Sequence, residues 1–215
     1  MKKKILAKDD AVVVAPIIMI KNEPYLTLAL HYRPPLAHKR SGGLHIEVCG
    51  GLTKDDEAKR TVAKTGTNEV LEEFGLKYVD KILGSKFKGT TASGGMTDES
   101  SSLFARIFKM PKNNYFDLNK IKKDTILKTF RVPLKNALNF LKEKSDQKFS
   151  VGLNTMGAVT NAMRALKVQP NYETTNIQAT ELWSMQGQEK TIFQRLGFEK
   201  REGQAFHEDI YATAA

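Results

Sequence analysis

The chain has 215 residues, of which 40% are apolar and 27% are charged, and its formal charge is +10. This composition is typical of a globular protein and excludes disorder throughout the chain. The longest apolar run, Ala11 to Ile20, contains Pro16 and is shorter than the roughly 20 residues that a membrane-spanning helix needs. The basic residues are scattered along the sequence, which indicates a solvated surface more than a nucleic-acid-binding arm.

The N-terminus and the cysteine content indicate a cellular compartment. The residues Met1 to Ala7 resemble the start of a signal peptide, but Lys8 and the acidic pair after it interrupt the apolar segment. Cys49 is the single cysteine, so neither an intrachain disulfide nor a multi-cysteine metal site can form. We therefore expect a cytoplasmic, soluble protein with no membrane association. A nucleic-acid partner is not expected, and a small phosphate-bearing molecule is.

The first elements in chain order are strands. Ala11–Ile20 is rich in β-branched residues and Tyr25–Tyr32 is apolar, and the turn signal Lys21–Pro24 between them predicts a β-hairpin. Leu44–Cys49 predicts a short strand that leads into the pair Gly50-Gly51.

A helix is predicted after this glycine pair. Thr53 can cap its N-terminus with Asp56 as the capping-box acid, and the helix would run to Phe74 with Gly75 at the C′ position. Gly66 is an unfavourable residue in such a helix, because it costs about 1 kcal/mol relative to alanine.

The remaining pattern mixes strands with two further helices. The predicted elements are strands at Tyr78–Lys88, Ser101–Met110 and Thr125–Val132 and helices beginning near Leu134 and Met156. The order of elements predicts an α/β (α+β) domain with a mixed sheet. We place this domain at residues 1–170, with residues 171–215 as a C-terminal extension that packs on the core or on a second subunit.

Three carboxylates carry the strongest chemical signal. Glu69, Glu72 and Glu73 stand at i, i+3 and i+4, so they project from one face of the predicted helix and repel one another. A divalent cation would relieve this repulsion, and Mg²⁺ or Mn²⁺ prefers such oxygen ligands. The spacing alone fits a solvated acidic face as well.

The segment resembles the Nudix box, whose pattern is G-x5-E-x7-R-E-U-x-E-E-x-G-U with U an aliphatic residue. Gly51 and Glu57 match its beginning, and the eight residues Glu69–Leu76 match its end. Two departures are present: ten residues separate Glu57 from the next motif position, and that position holds Asn68 in place of arginine. A substitute cation such as Lys64, or a reduced activity, would follow from the second departure.

The flanking sequence is similar to the ADP-ribose and nucleotide-sugar pyrophosphatase branch of that superfamily. Arg33-Pro34-Pro35 follows a predicted strand, Glu47–Gly51 resembles an E-x-x-G-G strand, and Ser93–Glu99 resembles a loop found after the box. The resemblance spans roughly residues 11–167.

This resemblance implies a Nudix α/β/α sandwich and metal-dependent hydrolysis of a nucleoside diphosphate linked to a group X, giving a nucleoside monophosphate and X-phosphate. The implied ligands of Mg²⁺ or Mn²⁺ are Gly51, Glu69, Glu72 and Glu73, and Glu57 could act through water. The three box glutamates and Glu99 are the expected catalytic residues.

The resemblance also implies roles outside the box. Glu99 is the first candidate for a loop-borne general base, with Asp124 behind it. Arg33 and Glu47 are expected to bind substrate through phosphate pairing and hydrogen bonds. His31 and His45 we interpret as residues lining strand faces.

Other features receive structural interpretations. Cys49 is expected to be buried rather than nucleophilic, and Trp183 is expected to be a packing anchor. The apolar residues of the C-terminal extension favour a homodimer.

Two further functions stay open from the sequence. Asn68 and the insertion fit a catalytically impaired module that binds a nucleotide without hydrolysing it. The +10 charge fits a hydrolase of capped RNA or dinucleoside polyphosphates, whose binding would depend steeply on salt.

Overall fold

The structure is a computed structural model, and it describes residues 10–33, 36, 41–53, 62–90, 101–109 and 126–184. The strands are β1 (Asp10–Ile20), β2 (Glu23–Tyr32), β3 (Leu44–Glu47), β4 (Cys49–Thr53), β5 (Lys77–Thr90), β6 (Ser101–Lys109), β7 (Ile126–Pro133), β8 (Ser150–Val151) and β9 (Thr180–Ser184). The helices are α1 (Val62–Phe74), α2 (Ala137–Asp146) and α3 (Leu153–Leu166), and a short 3₁₀ turn, Leu134–Asn136, precedes α2.

These strands form one mixed sheet, as the sequence predicts. The predicted hairpin is confirmed: β1 and β2 pair antiparallel with Ile17 opposite Leu26, and Lys21 and Asn22 turn the chain with positive φ angles of 48° and 67°. β1 also runs parallel to β6, which makes the sheet mixed.

The sheet divides near the middle of β1. The first half of β1 pairs with β4, with Val14 opposite Cys49, whereas the second half pairs with β2. The second half of β2 pairs instead with β3, where His31 lies opposite His45. β3 and β4 are therefore consecutive strands of the sheet that pair with β2 and β1 respectively, with Val48 between them.

Helices cover both faces of the sheet. On one face, α1 contributes Val70 and Phe74 to a buried cluster with residues of β1, β4 and β6. On the other face, α2 and α3 pack over a second cluster that includes Leu28 and Ile46. The predicted mixed α/β sandwich is confirmed by this arrangement.

Strand β4 runs through the glycine pair to Thr53, which lies opposite Asp10 of β1. Helix α1 is described from Val62, and the predicted start of the helix after Thr53 lies outside the described residues. Its end is as predicted. Gly75 adopts a positive φ of 65° and donates its N–H to the Leu71 carbonyl, which satisfies one of the last helix carbonyls.

Residues 171–184 pack on the same core. The Asn171 N–H donates to the Lys135 carbonyl, and the Glu143 carboxylate of α2 accepts the N–H groups of Asn176 and Ile177. β9 then adds to β7. In the part of the chain that the structure describes, no helix combines the length and hydropathy needed to cross a membrane.

Candidate functional site

The site is built where β3 and β4 meet α1. Side chains alternate along a strand, so Ile46 and Val48 enter the core under α2 and α3, while Glu47 and Cys49 face the other side. Cys49 is buried with Val70 and Phe74 of α1. The predicted buried state of Cys49 is confirmed.

Gly51 brings the box helix against strand β4. A Cβ atom added at Gly51 would lie 2.5 Å from Cγ, 2.6 Å from Cδ and 2.8 Å from Oε1 of Glu69. No side chain fits there unless the Glu69 carboxylate moves. The glycine of the motif is therefore required for Glu69 to lie across β4.

Glu73 lies deeper, beside Cys49. The thiol hydrogen-bonds to the Glu73 carboxylate, and burial together with that carboxylate raises the pKa of Cys49. Burial also raises the pKa of Glu73 to about 8, and the nearby carboxylates of Glu47 and Glu69 add to the effect. Its Oε2 atom is buried and accepts no hydrogen bond from the residues that the structure describes.

A second group surrounds Glu47 on the neighbouring strands. Arg33 Nη2 donates to Glu47 Oε1 in a short contact. His31 Nε2 lies 3.4 Å from the same oxygen. His45 Nε2 lies 3.3 Å from Oε2 and hydrogen-bonds to this carboxylate.

The pKa values of two members of this group, Glu47 and His31, lie below their usual range. Burial alone would raise the pKa of Glu47, but the His45 hydrogen bond and the charges of His31 and Arg33 outweigh it and lower the value to about 2. Burial lowers the pKa of His31 to about 4, against the opposing effect of Glu47. At neutral pH the group is therefore a carboxylate with one cation, Arg33, and a neutral buried imidazole, His31.

The role of the two histidines in this group was missed by the sequence interpretation, which treated them only as strand-face residues. The signal was present in the period of two: His31 and Arg33 share one face of the β2 end, and His45 and Glu47 share one face of β3. Strand register then supplies the remaining information, because it sets His31 opposite His45.

A cavity of about 250 Å³ adjoins this group. Its lining includes His45 and Glu47 of β3, Gly50 of β4 and the first turn of α3 from Gly152 to Thr155. The Val48 N–H donates to Thr155 Oγ1 over 3.3 Å, which fixes the helix end against the break between β3 and β4. Ligand sites of small molecules have comparable volumes, roughly 300 Å³ and above.

Asn68 stands where the resembling motif has arginine. The cationic side chain of Arg106 lies near this part of α1. Arg106 of β6 donates through Nη1 to Thr67 Oγ1 over 2.5 Å, immediately before Asn68. Lys64, the substitute suggested by the sequence, is exposed on the helix.

The structure therefore brings together Gly51, Glu69, Glu73 and Glu47 with Arg33. Glu72 lies on the same helix with its Oε2 atom buried. The candidate base Glu99, its alternative Asp124 and the box residue Glu57 lie outside the described residues.

The donor chemistry fits a divalent cation. Carboxylate oxygens are the ligands that Mg²⁺ and Mn²⁺ prefer, and the buried Oε2 of Glu73 accepts no hydrogen bond from the described residues. Burial, with a smaller contribution from the carboxylates of Glu47 and Glu69, raises the pKa of Glu73, and a bound cation would favour its charged form. Within the described ranges, no three or more His, Cys, Asp or Glu side chains converge tightly enough to form a metal-binding group.

Comparisons with known proteins give likenesses among solved structures. No family model matches the chain, and no curated protein matches it. Among solved structures, the chain is similar to a NUDIX hydrolase from Nitrosomonas europaea, with 17% identity over 77% of this chain and 96% of that chain and a TM-score of 0.47.

Proposed function

We propose that the protein is a Nudix hydrolase that uses Mg²⁺ or Mn²⁺ to cleave a nucleoside diphosphate linked to X, of the ADP-ribose or nucleotide-sugar type. The observation that carries this proposal is the packing of Glu69 across Gly51, with Glu73 buried beside it. Gly51 and Glu69 match separate parts of the box motif and stand 18 positions apart in the sequence. In the structure they lie side by side, with the Glu69 carboxylate next to the glycine.

Each residue then has a defined task. Glu69 and Glu73, with Glu72 and the Gly51 carbonyl, would hold the cation, which when bound supplies charge neutralisation of the diphosphate and a more acidic water. Arg33 pairs with a phosphate oxygen. Without a cation, Glu73 holds a proton at neutral pH because its pKa is about 8. Glu99 is retained as the proposed general base.

Cys49 supports this site without taking part in the reaction. Its raised pKa keeps the thiol protonated, so it donates to Glu73 and does not attack a phosphorus atom. The cavity lined by His45 and Glu47 would supply space for part of the substrate.

A panel of substrates tests the proposal. ADP-ribose, nucleotide sugars, dinucleoside polyphosphates and capped RNA are each incubated with Mg²⁺ or Mn²⁺, and the products are identified by mass. We expect a nucleoside monophosphate and X-phosphate from ADP-ribose or a nucleotide sugar. Absence of product from every diphosphate with either metal would contradict the proposal. Turnover of capped RNA alone, falling steeply with salt, would support the polymer alternative.

A second candidate function is nucleotide binding without hydrolysis. Asn68 at the arginine position favours it. Calorimetry separates the two: saturable binding of ADP-ribose with no turnover would identify a binding module. A homodimer is proposed for either function, and sedimentation analysis measures it.

A further inference from the structure

The side chains of the group around Glu47 become more exposed to solvent from the core to the surface. The side chain of His31 is 2% exposed, that of His45 13%, that of Glu47 20% and that of Arg33 40%. Only the outermost member of the series presents a large surface to an incoming molecule. The inner members are placed to hold it.

Glu47 has both oxygens engaged. Oε1 accepts Arg33 and lies near His31, and Oε2 faces His45. A carboxylate offers about four lone-pair positions, so little of its capacity remains for a ligand. Arg33 has five N–H donors in a planar fork, and a contact through one nitrogen to Glu47 leaves others for an anion.

His45 is itself confined. Its Nε2 faces Glu47, and a Cβ atom added at Gly152, at the start of α3, would lie 3.3 Å from that same nitrogen. Its Nδ1 is buried and accepts no hydrogen bond from the described residues, which is the pattern of an imidazole protonated at Nε2 and donating to the carboxylate. The ring has little freedom to leave Glu47.

The backbone at Arg33 is fixed as well. The Arg33 N–H donates to the Gly43 carbonyl over 2.8 Å, and the Arg33 carbonyl accepts the Leu36 N–H over 2.8 Å. The orientation of the guanidinium therefore depends on Glu47, because the main chain cannot swing to compensate for a displaced carboxylate.

From this geometry we propose that His45, with His31 behind it, is a positioning residue that acts through Glu47 to hold Arg33 toward an anionic diphosphate. Glu47 is thereby assigned to orienting Arg33 more than to contacting the ligand. The inference rests on the proposed function for the identity of the ligand, and on the described contacts for the chain of residues.

A double-mutant cycle tests it. Glutamine can place an amide N–H near the Nε2 position of histidine, and leucine cannot donate, so His45→Gln and His45→Leu are matched variants. Each is made in the wild-type chain and in Arg33→Ala. The readouts are kcat and KM for ADP-ribose with Mg²⁺, and the affinity for inorganic pyrophosphate by calorimetry, which needs no turnover.

We expect Arg33→Ala to weaken pyrophosphate binding about 10- to 100-fold, the effect of losing a hydrogen bond to a charged group. His45→Leu should weaken it about tenfold, His45→Gln less than about threefold, and His45→Leu in the Arg33→Ala chain less than about twofold. The loss should appear in KM more than in kcat, since Arg33 contacts a group present before and during the reaction.

Two results would overturn the inference. One is an equal loss for His45→Leu with and without Arg33, which would show that the histidine does not act through the arginine. The other is no measurable pyrophosphate binding by the wild-type protein. A wild-type protein that binds pyrophosphate but hydrolyses no diphosphate would contradict the proposed function alone, and the binding cycle would still decide the positioning role.

Discussion

Gly66→Ala should destabilise the protein, although alanine is the better helix former. In an exposed helix the substitution would stabilise by about 1 kcal/mol. Here a Cβ atom at Gly66 would lie 2.5 Å from Val14 Cγ2, 2.9 Å from Phe104 Cζ and 3.0 Å from Val12 Cγ2. All three neighbours are fully buried, and overpacking of such a site costs roughly 1–3 kcal/mol.

Three close contacts with buried atoms place the overpacking cost in the upper part of that range, about 2–3 kcal/mol. After subtraction of the helix-propensity gain of about 1 kcal/mol, the expected net effect is a loss of about 1–2 kcal/mol in the free energy of unfolding. Turnover should fall too, because lifting α1 moves Glu69 away from Gly51. Gly157→Ala in α3 is the matched control: its added Cβ would meet a single atom, the terminal Cδ1 of Leu103, at 2.9 Å, which a rotation of that side chain relieves. Urea unfolding followed by circular dichroism measures both variants. A Gly66→Ala protein as stable as the wild type would refute the close packing of α1.

Three further predictions follow from the site and the core. Gly51→Ala should lower turnover by up to about 100-fold by displacing Glu69. Gly50→Ala, whose Cβ would have ordinary contacts of 3.6 and 3.9 Å, should leave Glu69 in place and lower turnover much less, by the small volume it takes from the cavity beside Glu47; equal activities of the two variants in a kinetic assay would contradict this. Glu47 has a folded-state pKa of about 2 against 4.5 when unperturbed, so its stabilisation of roughly 3 kcal/mol is present above pH 4.5 and is lost as the pH falls toward 2. Glu47→Gln should lack that loss in pH-dependent unfolding, and an unchanged acid profile would count against the Glu47 contacts. Ile177→Ala should cost about 2 kcal/mol or more, because Ile177 is buried in the core under α2; unchanged thermal stability would show that residues 171–184 do not hold the core together.

Much of the fold was predictable because local patterns agree with the final packing. The hairpin β1–β2, the strands β6 and β7 and the end of α1 at Gly75 follow from alternation and turn residues that the sheet then uses directly. The extension of strand β4 through the glycine pair to Thr53 was not predictable from local pattern. Pairing with β1 forms this strand, and that is a long-range contact.

The candidate site was also predictable only where local spacing determines it. The spacing of Glu69 and Glu73 predicted a shared helix face. The role of Gly66 was not predictable, because the sequence shows only its low helix propensity and not its contacts with the sheet. A residue that weakens the isolated helix is the one that permits its close approach to Val14 and Phe104. His31 and His45 acquire their roles from strand register, and Arg106 reaches Thr67 from a strand 39 positions away. Neither kind of contact is encoded in local spacing.

The central claim is that the Glu69–Glu73 cluster serves metal-dependent hydrolysis of a diphosphate, and Glu73→Gln tests it most directly. Because the pKa of Glu73 is about 8, its side chain is neutral at pH 7 without a cation, and glutamine replaces it with little change in charge or shape. Turnover of ADP-ribose by wild type and variant is measured against Mg²⁺ and Mn²⁺ concentration, with unfolding curves of both. We predict a folded variant of wild-type stability whose turnover is reduced at least about 100-fold and whose dependence on metal is shifted to higher concentration. Wild-type turnover and metal affinity in the Glu73→Gln protein would contradict the account.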